Sequence, residues 1–437
     1  MKRWVLPALV LGVLAWMISL PAEGLGGTGF WAIRREALLL TGIVAYLFMA
    51  TAMVLALRLP WIERRLGGLD RNFGLHKWLG IAAGVLVIGH WLCEHGARWL
   101  VQAGWVERPS RGGARHGAEW FLSQFNGPAR EIGEILLYVL IAMLIIALVR
   151  LVPYHWFRRL HKVFPVLFLA ATFHSVVLMP PVLWPTVIGV LTAIAAVAGT
   201  IAAVLSLAGR IGRSRAHGGV VTEVRRLDDE VIELHCTLEG TGMAHRPGQF
   251  AFVTLDGLRD PHPFTMSSSG HDPNTVSFVV KTLGDDTQRM MQQLQVGTRA
   301  SIEGPYGAFD FREEEQGQIW VGAGIGVTPF LARLEHLAAH PARAPRSIHF
   351  FCCAPATSPL AERIRSLCQR AGVTLHWIDQ ARDGSLDMQR IERVVGHNTR
   401  NSMWFCGPGA FGKLLARGWA RLGRRSGDFH WERFAMR

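Results

Sequence analysis

The 437-residue chain is short of charge. Asp, Glu, Lys and Arg make up 18% of it, where a soluble globular chain carries about 25%. Half of its residues are hydrophobic, and its mean hydropathy is +0.22. The shortage falls almost entirely before residue 210, which excludes a wholly soluble protein and a disordered one. Acidic residues are scarcer than basic ones, 33 against 46. The basic excess sits in short loops between apolar runs, which is a membrane-topology pattern rather than a nucleic-acid-binding one. Cysteine is sparse as well. Cys93, Cys236, Cys352, Cys353, Cys368 and Cys406 form no CxxC pair and no zinc spacing, which argues against a disulfide framework. Five of them lie in the polar half and read as reduced cytoplasmic thiols. Internal repeats and low-complexity tracts are absent.

Six apolar runs stand out: Trp4–Leu20, Leu38–Leu57, Leu75–Cys93, Ile132–Leu151, Val163–Met179 and Leu183–Leu207. At 1.5 Å per residue each crosses most or all of a hydrocarbon core of roughly 30 Å. The first follows Lys2-Arg3 and reads as a membrane helix. The alternative is a signal peptide, but Ser19-Leu-Pro-Ala-Glu-Gly24 is a poor cleavage site. Alternate loops hold fourteen and seven Lys/Arg. The richer set puts both termini in the cytoplasm, as expected for a bacterial inner-membrane protein.

The expected organisation is a membrane domain over 1–208, a basic linker over 209–216, a small β-barrel over 217–314 and a parallel α/β domain over 315–437. The barrel is signalled by short alternating runs at Val220–Val224, Val231–Cys236, Phe250–Leu255, Val276–Lys281 and Ala300–Glu303. The α/β domain is signalled by strands alternating with helices from Gln318 onward.

Four histidines interrupt the apolar runs. His76 and His90 are fourteen apart, and His161 and His174 thirteen apart. Ligating side chains in membrane helices are costly and mark function. Fourteen residues is nearly four turns, so His76 and His90 share a face about 21 Å apart along the axis. Thirteen turns His161 and His174 roughly 140° away from each other on an ideal helix. Pro165 offers a kink to change that phase. Two histidines at each of two depths can fill both axial positions of two stacked haems, His76 with His161 and His90 with His174. Hydrogen-bonded interhelical histidines are the alternative. A six-coordinate haem leaves no open position for a diatomic ligand, so such a pair passes electrons by outer-sphere transfer.

In the barrel, His262-Pro-Phe-Thr-Met-Ser-Ser-Ser269 reads as a turn whose hydroxyls meet a flavin edge. Gly284 to Thr287 opens a helix whose amides suit a pyrophosphate. In the α/β domain, Gly322-Ala-Gly-Ile-Gly-Val-Thr-Pro329 follows a strand and opens a helix, a dinucleotide-loop context that departs from GxGxxG. Cys406-Gly-Pro408 ends a later strand and faces a nicotinamide on this reading, with a buried structural thiol as the alternative. The aromatic C-terminus holds Phe434, placed to cover a flavin ring or to pack in the core.

Together the two histidine pairs, HPFTMSSS, GPYG at Gly304–Gly307, VGAGIGVTPF at Val321–Phe330 and CGP at Cys406 resemble the ferric reductase / NADPH oxidase superfamily. The resemblance extends over almost the whole chain, and its compactness is similar to that of the prokaryotic NADPH oxidases. It implies a ferredoxin–NADP-reductase-like C-terminal half. It also implies a route from cytoplasmic NADPH or NADH through FAD and two b-type haems to an outside acceptor. His262, Pro263, Phe264, Thr265 and Ser267 would line the flavin. Gly322, Gly324, Gly326, Thr328, Pro329 and Cys406 would line the nucleotide. Phe434 would stack on the isoalloxazine until the nicotinamide displaces it.

Phe350–Ala356 has no base for a 2′-phosphate, so NADPH and NADH both stay open. The acceptor stays open among O2, a ferric chelate and a periplasmic protein. Arg34, Arg35, Glu94, His95 and Arg98 are candidates beside the outer haem, or else solvated loop residues. The stretch 94–131, whose order as a cap is undecided, has one net positive charge.

Overall fold

A computed structural model describes residues 2–20, 29–107, 121–149, 152, 154–257, 260–282, 284–311, 317–340, 347–396 and 401–432. The chain divides into two compact units. One comprises 1–63 with 71–211, the other 64–70 with 212–437.

The first unit is helical. Its elements are α1 (Lys2–Ser19), α2 (Phe30–Ala56), α3 (Pro60–Leu66), α4 (Leu69–Gln102), α5 (Asn126–Leu148), α6 (Tyr154–His161), α7 (Phe164–Leu178) and α8 (Val187–Leu207). Among the described residues, five stretches are long and apolar enough to cross a membrane: Phe30–Ala56, Leu69–Gln102, Phe121–Leu148, Trp156–Leu178 and Val187–Leu207. A sixth apolar helix, Val5–Ser19, is shorter. The sequence expectation of six spans therefore becomes five plus one short apolar helix.

Small residues let α2, α7 and α8 approach closely, as in membrane bundles generally. A methyl group on Gly199 would lie 2.3 Å from the Phe168 ring. Phe168 in turn stacks on Tyr46, with ring centres 5.5 Å apart. Tyr46 donates its hydroxyl to Thr172 Oγ1 at 3.1 Å. Helix α4 is less embedded: only five of its 34 side chains are buried (Leu69, Asn72, Leu79, Ala83, Ala97).

Two local findings revise the sequence reading. Helix α4 runs nine residues past the expected end at Cys93, so Glu94, His95 and Arg98 lie on a helix rather than in a loop. His161 and His174 lie on different helices. His161 closes α6, the chain turns at Lys162 and Val163, and α7 starts with Pro165 in its first turn. Proline suits that position because its missing N–H has no intrahelical partner there. The helical backbone is interrupted at Lys162 and Val163, just before Pro165, and the phase between His161 and His174 changes at that interruption.

The second unit begins with a six-stranded antiparallel sheet. Its strands are β1 (Ala216–Arg226), β2 (Val231–Leu238), β3 (Phe250–Leu255), β4 (His262–Thr265), β5 (Thr275–Lys281) and β6 (Arg299–Tyr306), with helix α9 (Asp285–Gln293) after β5. The order is β4-β3-β6-β1-β2-β5. A bridge from Met266 to Phe278 joins the two edges, so the barrel is nearly closed. Its core is the alternating inward set of Val221, Leu234, Val253, Met266, Phe278 and Ile302.

A five-stranded parallel sheet follows, built from β7 (Gln318–Ala323), α10 (Thr328–Ala339), β8 (Ile348–Cys353), α11 (Ala361–Ala371), β9 (Thr374–Ile378), α12 (Gln380–Asp383), α13 (Met388–Val395), β10 (Ser402–Cys406), α14 (Gly409–Arg421) and β11 (Phe429–Trp431). Its order is β11-β10-β7-β8-β9. The strands read as near-continuous apolar runs because helices cover both faces, as in parallel sheets generally. Arg363 on α11 ties the sheet to the barrel. It donates to the buried Glu233 of β2 and to Glu335 of α10, each at 2.6 Å.

Candidate functional site

The four membrane histidines meet in the two expected pairs. The ring centres of His76 and His161 are 5.9 Å apart, and those of His90 and His174 6.3 Å. Helix α2 orients both α4 rings: His76 Nδ1–H donates to Ala52 O at 2.9 Å, and His90 Nδ1–H to Leu38 O at 2.8 Å. On α7, His174 Nδ1–H donates to Ala129 O of α5 at 2.7 Å. A carbonyl only accepts, so each of these rings carries its proton on Nδ1 and presents Nε2 as the acceptor nitrogen. That is the arrangement by which a second group fixes a metal-ligating imidazole. His161 is held by packing, its ring centre 5.1 Å from Phe157 and 4.7 Å from Phe164. Its Nδ1 is buried without a hydrogen-bond partner.

Two glycines make room for this. A methyl group on Gly42 would lie 2.9 Å from His90 Nδ1, and one on Gly133 2.3 Å from His174 Cε1. Two imidazoles on opposite sides of one metal, each nitrogen about 2 Å from it, have ring centres about 6 Å apart. Both measured separations agree with that spacing.

One turn beyond His90 lies a charged cluster. Arg34 pairs with Glu94 and donates Nε–H to Cys93 O at 2.8 Å, and Arg98 donates to Glu94 at 3.0 Å. His95 stacks on Trp91, with ring centres 4.8 Å apart. Arg34, Glu94 and Arg98 thus form one network, which their separate places in the sequence do not announce.

In the barrel, the stretch expected as a turn begins as a strand. His262–Thr265 forms β4, paired antiparallel with Phe250–Val253 of β3. It is an edge strand, which is why Pro263 is tolerated there. His262 and Phe264 alternate onto one side, ring centres 6.0 Å apart. Ser267 is fully buried, and its Oγ has no hydrogen-bond partner. Ser268 Oγ accepts from Ser277 N–H at 3.2 Å and stands 3.0 Å from His245 Nε2. Burial lowers the pKa of His245, so the ring is neutral and structural. No period or motif marks His245 in the sequence. At α9, Thr287 Oγ1 accepts from Gly284 N–H at 3.1 Å and donates back to Gly284 O at 2.9 Å, capping the helix start.

The two nucleotide motifs come together across the sheet. After β9 the chain crosses to the other side of β7, so β7 and β10 flank the switch point where ligands of parallel α/β sheets bind. Gly322 pairs in register with Cys406. Gly322 packs closely on Phe330 of α10, Gly324 turns the chain at φ +58°, and Gly326 faces the end of β10. A methyl group on Gly326 would lie 2.3 Å from Cys406 O. Thr328 donates its hydroxyl to Ile325 O at 2.7 Å, and Pro329 occupies the first turn of α10. Cys406 is buried, and burial followed by the nearby Glu432 carboxylate pushes its thiol well above the ordinary range. It is a neutral thiol, not a thiolate nucleophile. Phe434 lies outside the described residues, as do Arg108, Arg111, Arg115 and Glu119 of the 94–131 stretch.

Two family models match the chain. "Ferric reductase like transmembrane component" covers residues 41–172, and "FAD-binding domain" covers 217–310. Among curated proteins, the reductase component of propane 2-monooxygenase from Rhodococcus jostii (strain RHA1) is 25% identical over 135 residues, covering 30% of this chain and 36% of that protein. NADPH oxidase 1 of Mus musculus is 32% identical over 127 residues, covering 27% and 21%. A superoxide-generating NADPH oxidase heavy chain of Dictyostelium discoideum is 27% identical over 134 residues, covering 25% and 18%. The matches thus span only about a third of the first relative and about a fifth of each oxidase. Among solved structures, a cytochrome P450 reductase of Amycolatopsis aligns at TM-score 0.44 and 19% identity, over 50% of this chain and 70% of that one.

The chain thus joins a membrane-type helical domain, matched as a ferric-reductase-like transmembrane component, to a domain matched as FAD-binding. The two family matches on one chain, with NADPH oxidases among its relatives, place it further. They support the ferric reductase / NADPH oxidase superfamily as its family.

Proposed function

We propose that the protein carries electrons from cytoplasmic NADPH or NADH across a bacterial inner membrane to O2, which leaves as superoxide. Both termini lie on the cytoplasmic side, and α1 completes a six-helix membrane domain over 1–208. A linker over 209–216 leads to the FAD domain over 217–314 and the nucleotide domain over 315–437. When bound, FAD converts a hydride donor into single electrons, and two b-type haems relay them across the membrane.

The observation that carries this reading is the pair of histidine pairs, each bridging α4 to α6 or α7 with Nδ1 of three rings fixed by a carbonyl. His76 and His161 hold the cytoplasmic-side haem, His90 and His174 the outer one. The methyl-free Gly42 and Gly133 leave the His90 and His174 rings room to take up ligand positions. At the flavin, β4 supplies His262, Pro263, Phe264 and Thr265 as a wall, and the buried, unpartnered Ser267 hydroxyl suits a flavin polar edge. Gly284 and Thr287 cap the start of α9, whose N-terminal end favours phosphate. Gly322, Gly324, Gly326, Thr328 and Pro329 approach the nucleotide phosphates at the start of α10, while Cys406 bounds the nicotinamide as a neutral wall. Beyond His90, the Arg34 guanidinium on the Glu94 network favours an oxygen anion as it forms.

The deciding experiment follows cytochrome c reduction by detergent-purified protein with FAD and NADPH or NADH, with and without superoxide dismutase, while the haem spectrum is recorded. Most of the rate is expected to vanish with dismutase. Haems that reduce while the rate ignores dismutase reject O2 and point to a ferric chelate or a periplasmic partner protein. Absence of haem overturns the electron route itself.

A Gly133→Ala variant checks the ligand geometry. Its new methyl group displaces the His174 ring, so the outer haem is expected to be held about 10–100-fold more weakly. Haem absorbance per chain, read against the His76/His161 haem as internal standard, reports it. Full occupancy in the variant removes His174 from the ligand set.

A further inference from the structure

The second unit carries three histidines that the redox chemistry does not use. His336 and His340 are four apart at the end of α10, and His271 comes from the barrel loop after Gly270. One ring nitrogen of each lies within 4.8 Å of the others. Ring centres are 4.4 Å apart for His271 and His340, 4.8 Å for His336 and His340, and 5.9 Å for His271 and His336.

The surroundings suit a cation. His340 Nδ1–H donates to His336 O at 3.1 Å, so its Nε2 is the acceptor nitrogen. This is the same proton placement that fixes a metal-ligating imidazole. His271 is presented by a braced turn: Gly270 has φ +76°, and a methyl group there would lie 2.2 Å from His245 O. The cluster sits at a helix C-terminus, the negative end of the helix dipole, where positive charge is favoured. His271 is exposed and the other two are half-buried, so an ion enters from solvent.

We propose that His271, His336 and His340 form a binding site for a borderline divalent transition-metal ion, with Zn2+ as the fitting member. Three imidazoles without a carboxylate suit zinc, copper or nickel and not magnesium or calcium. Tetrahedral zinc with nitrogens at 2.0–2.1 Å needs them about 3.4 Å apart. Rotation of the solvent-facing rings closes that gap. The fourth position is left to water.

The placement gives the ion a regulatory position. His271 lies two residues beyond the His262–Ser269 flavin segment, and α10 is the helix that the nucleotide glycine loop opens. One ion therefore ties the barrel loop to the nucleotide domain. Zinc binding itself does not depend on the proposed acceptor or on the haems.

The test uses full-length detergent-purified protein, treated with chelator and desalted, then dialysed against ZnCl2. Wild type is compared with His271→Ala, His336→Ala and His340→Ala, and with His376→Ala as a histidine control elsewhere on the surface. Wild type is expected to bind one zinc that each cluster variant binds at least 10-fold more weakly and the control binds normally. X-ray absorption of that zinc is expected to show three imidazoles and one light oxygen ligand at about 2.0 Å. Near-ultraviolet circular dichroism confirms that each variant is folded. The proposal is overturned if wild type takes up no zinc at about 10 µM free metal, if cluster variants bind it as wild type does, or if fewer than three imidazoles are counted.

Discussion

A His174→Ala variant is expected to lose one of two haems and to keep flavin reduction by NAD(P)H at the wild-type rate. Delivery to cytochrome c is expected to fall by more than about 100-fold, beyond the loss seen when only a supporting residue of a metal site is removed. The separation follows from the construction. His174 belongs to the helical unit and takes its orientation from Ala129 of α5, whereas the flavin and nucleotide residues belong to the other unit. The same logic gives His76→Ala the loss of the other haem. The check is haem content per chain with stopped-flow bleaching of the flavin absorbance. If His174→Ala slows flavin reduction itself, the order of carriers is wrong. If it keeps both haems, the histidine pair is a hydrogen-bonding device and no ligand.

The second large effect belongs to Gly326. The atoms that a new methyl group would strike are backbone, the carbonyl of Cys406 at 2.3 Å and the Gly407 nitrogen at 2.8 Å, so no side-chain rotation relieves the clash. Gly326→Ala must push the glycine loop away from the end of β10. Misplacing a bound reactant by about 1 Å costs on the order of 100-fold in rate. The expected result is that loss in flavin reduction by NADPH or NADH. FAD content and dithionite reduction of the haems should match wild type. A wild-type rate of flavin reduction in Gly326→Ala would move the nucleotide away from the switch point between β7 and β10.

Much of the fold is legible in the sequence. Apolar run length locates the helices, and the alternation of Val231–Cys236 and Phe250–Leu255 locates two barrel strands nearly to the residue. The glycine loop and CGP read as separate motifs, and the parallel sheet makes them neighbours. Other features follow from pairing partners that local pattern does not encode. His262–Thr265 becomes a strand because β3 offers it an open edge, although proline and a run of hydroxyls argue for a turn. The break between His161 and Pro165 is hidden because an apolar run continues through it, and hydropathy averages over the change of helix. His336 and His340 do show an i,i+4 spacing, but their third partner, His271, is more than sixty residues away and only the fold brings it near. The Arg34–Glu94 pair likewise joins two helices sixty residues apart in sequence.

The switch point between β7 and β10 also bears on how the protein is made. The glycine loop is complete once residue 329 has been synthesised, yet the wall it faces is residues 402–408, more than seventy residues later. Through that interval the ribosome holds a chain whose barrel strands are all present while its nicotinamide cleft has only one side. On the proposed nucleotide site, nucleotide affinity is therefore expected to be a late marker of maturation, and a chain ending before β10 is expected to resist reduction by NAD(P)H.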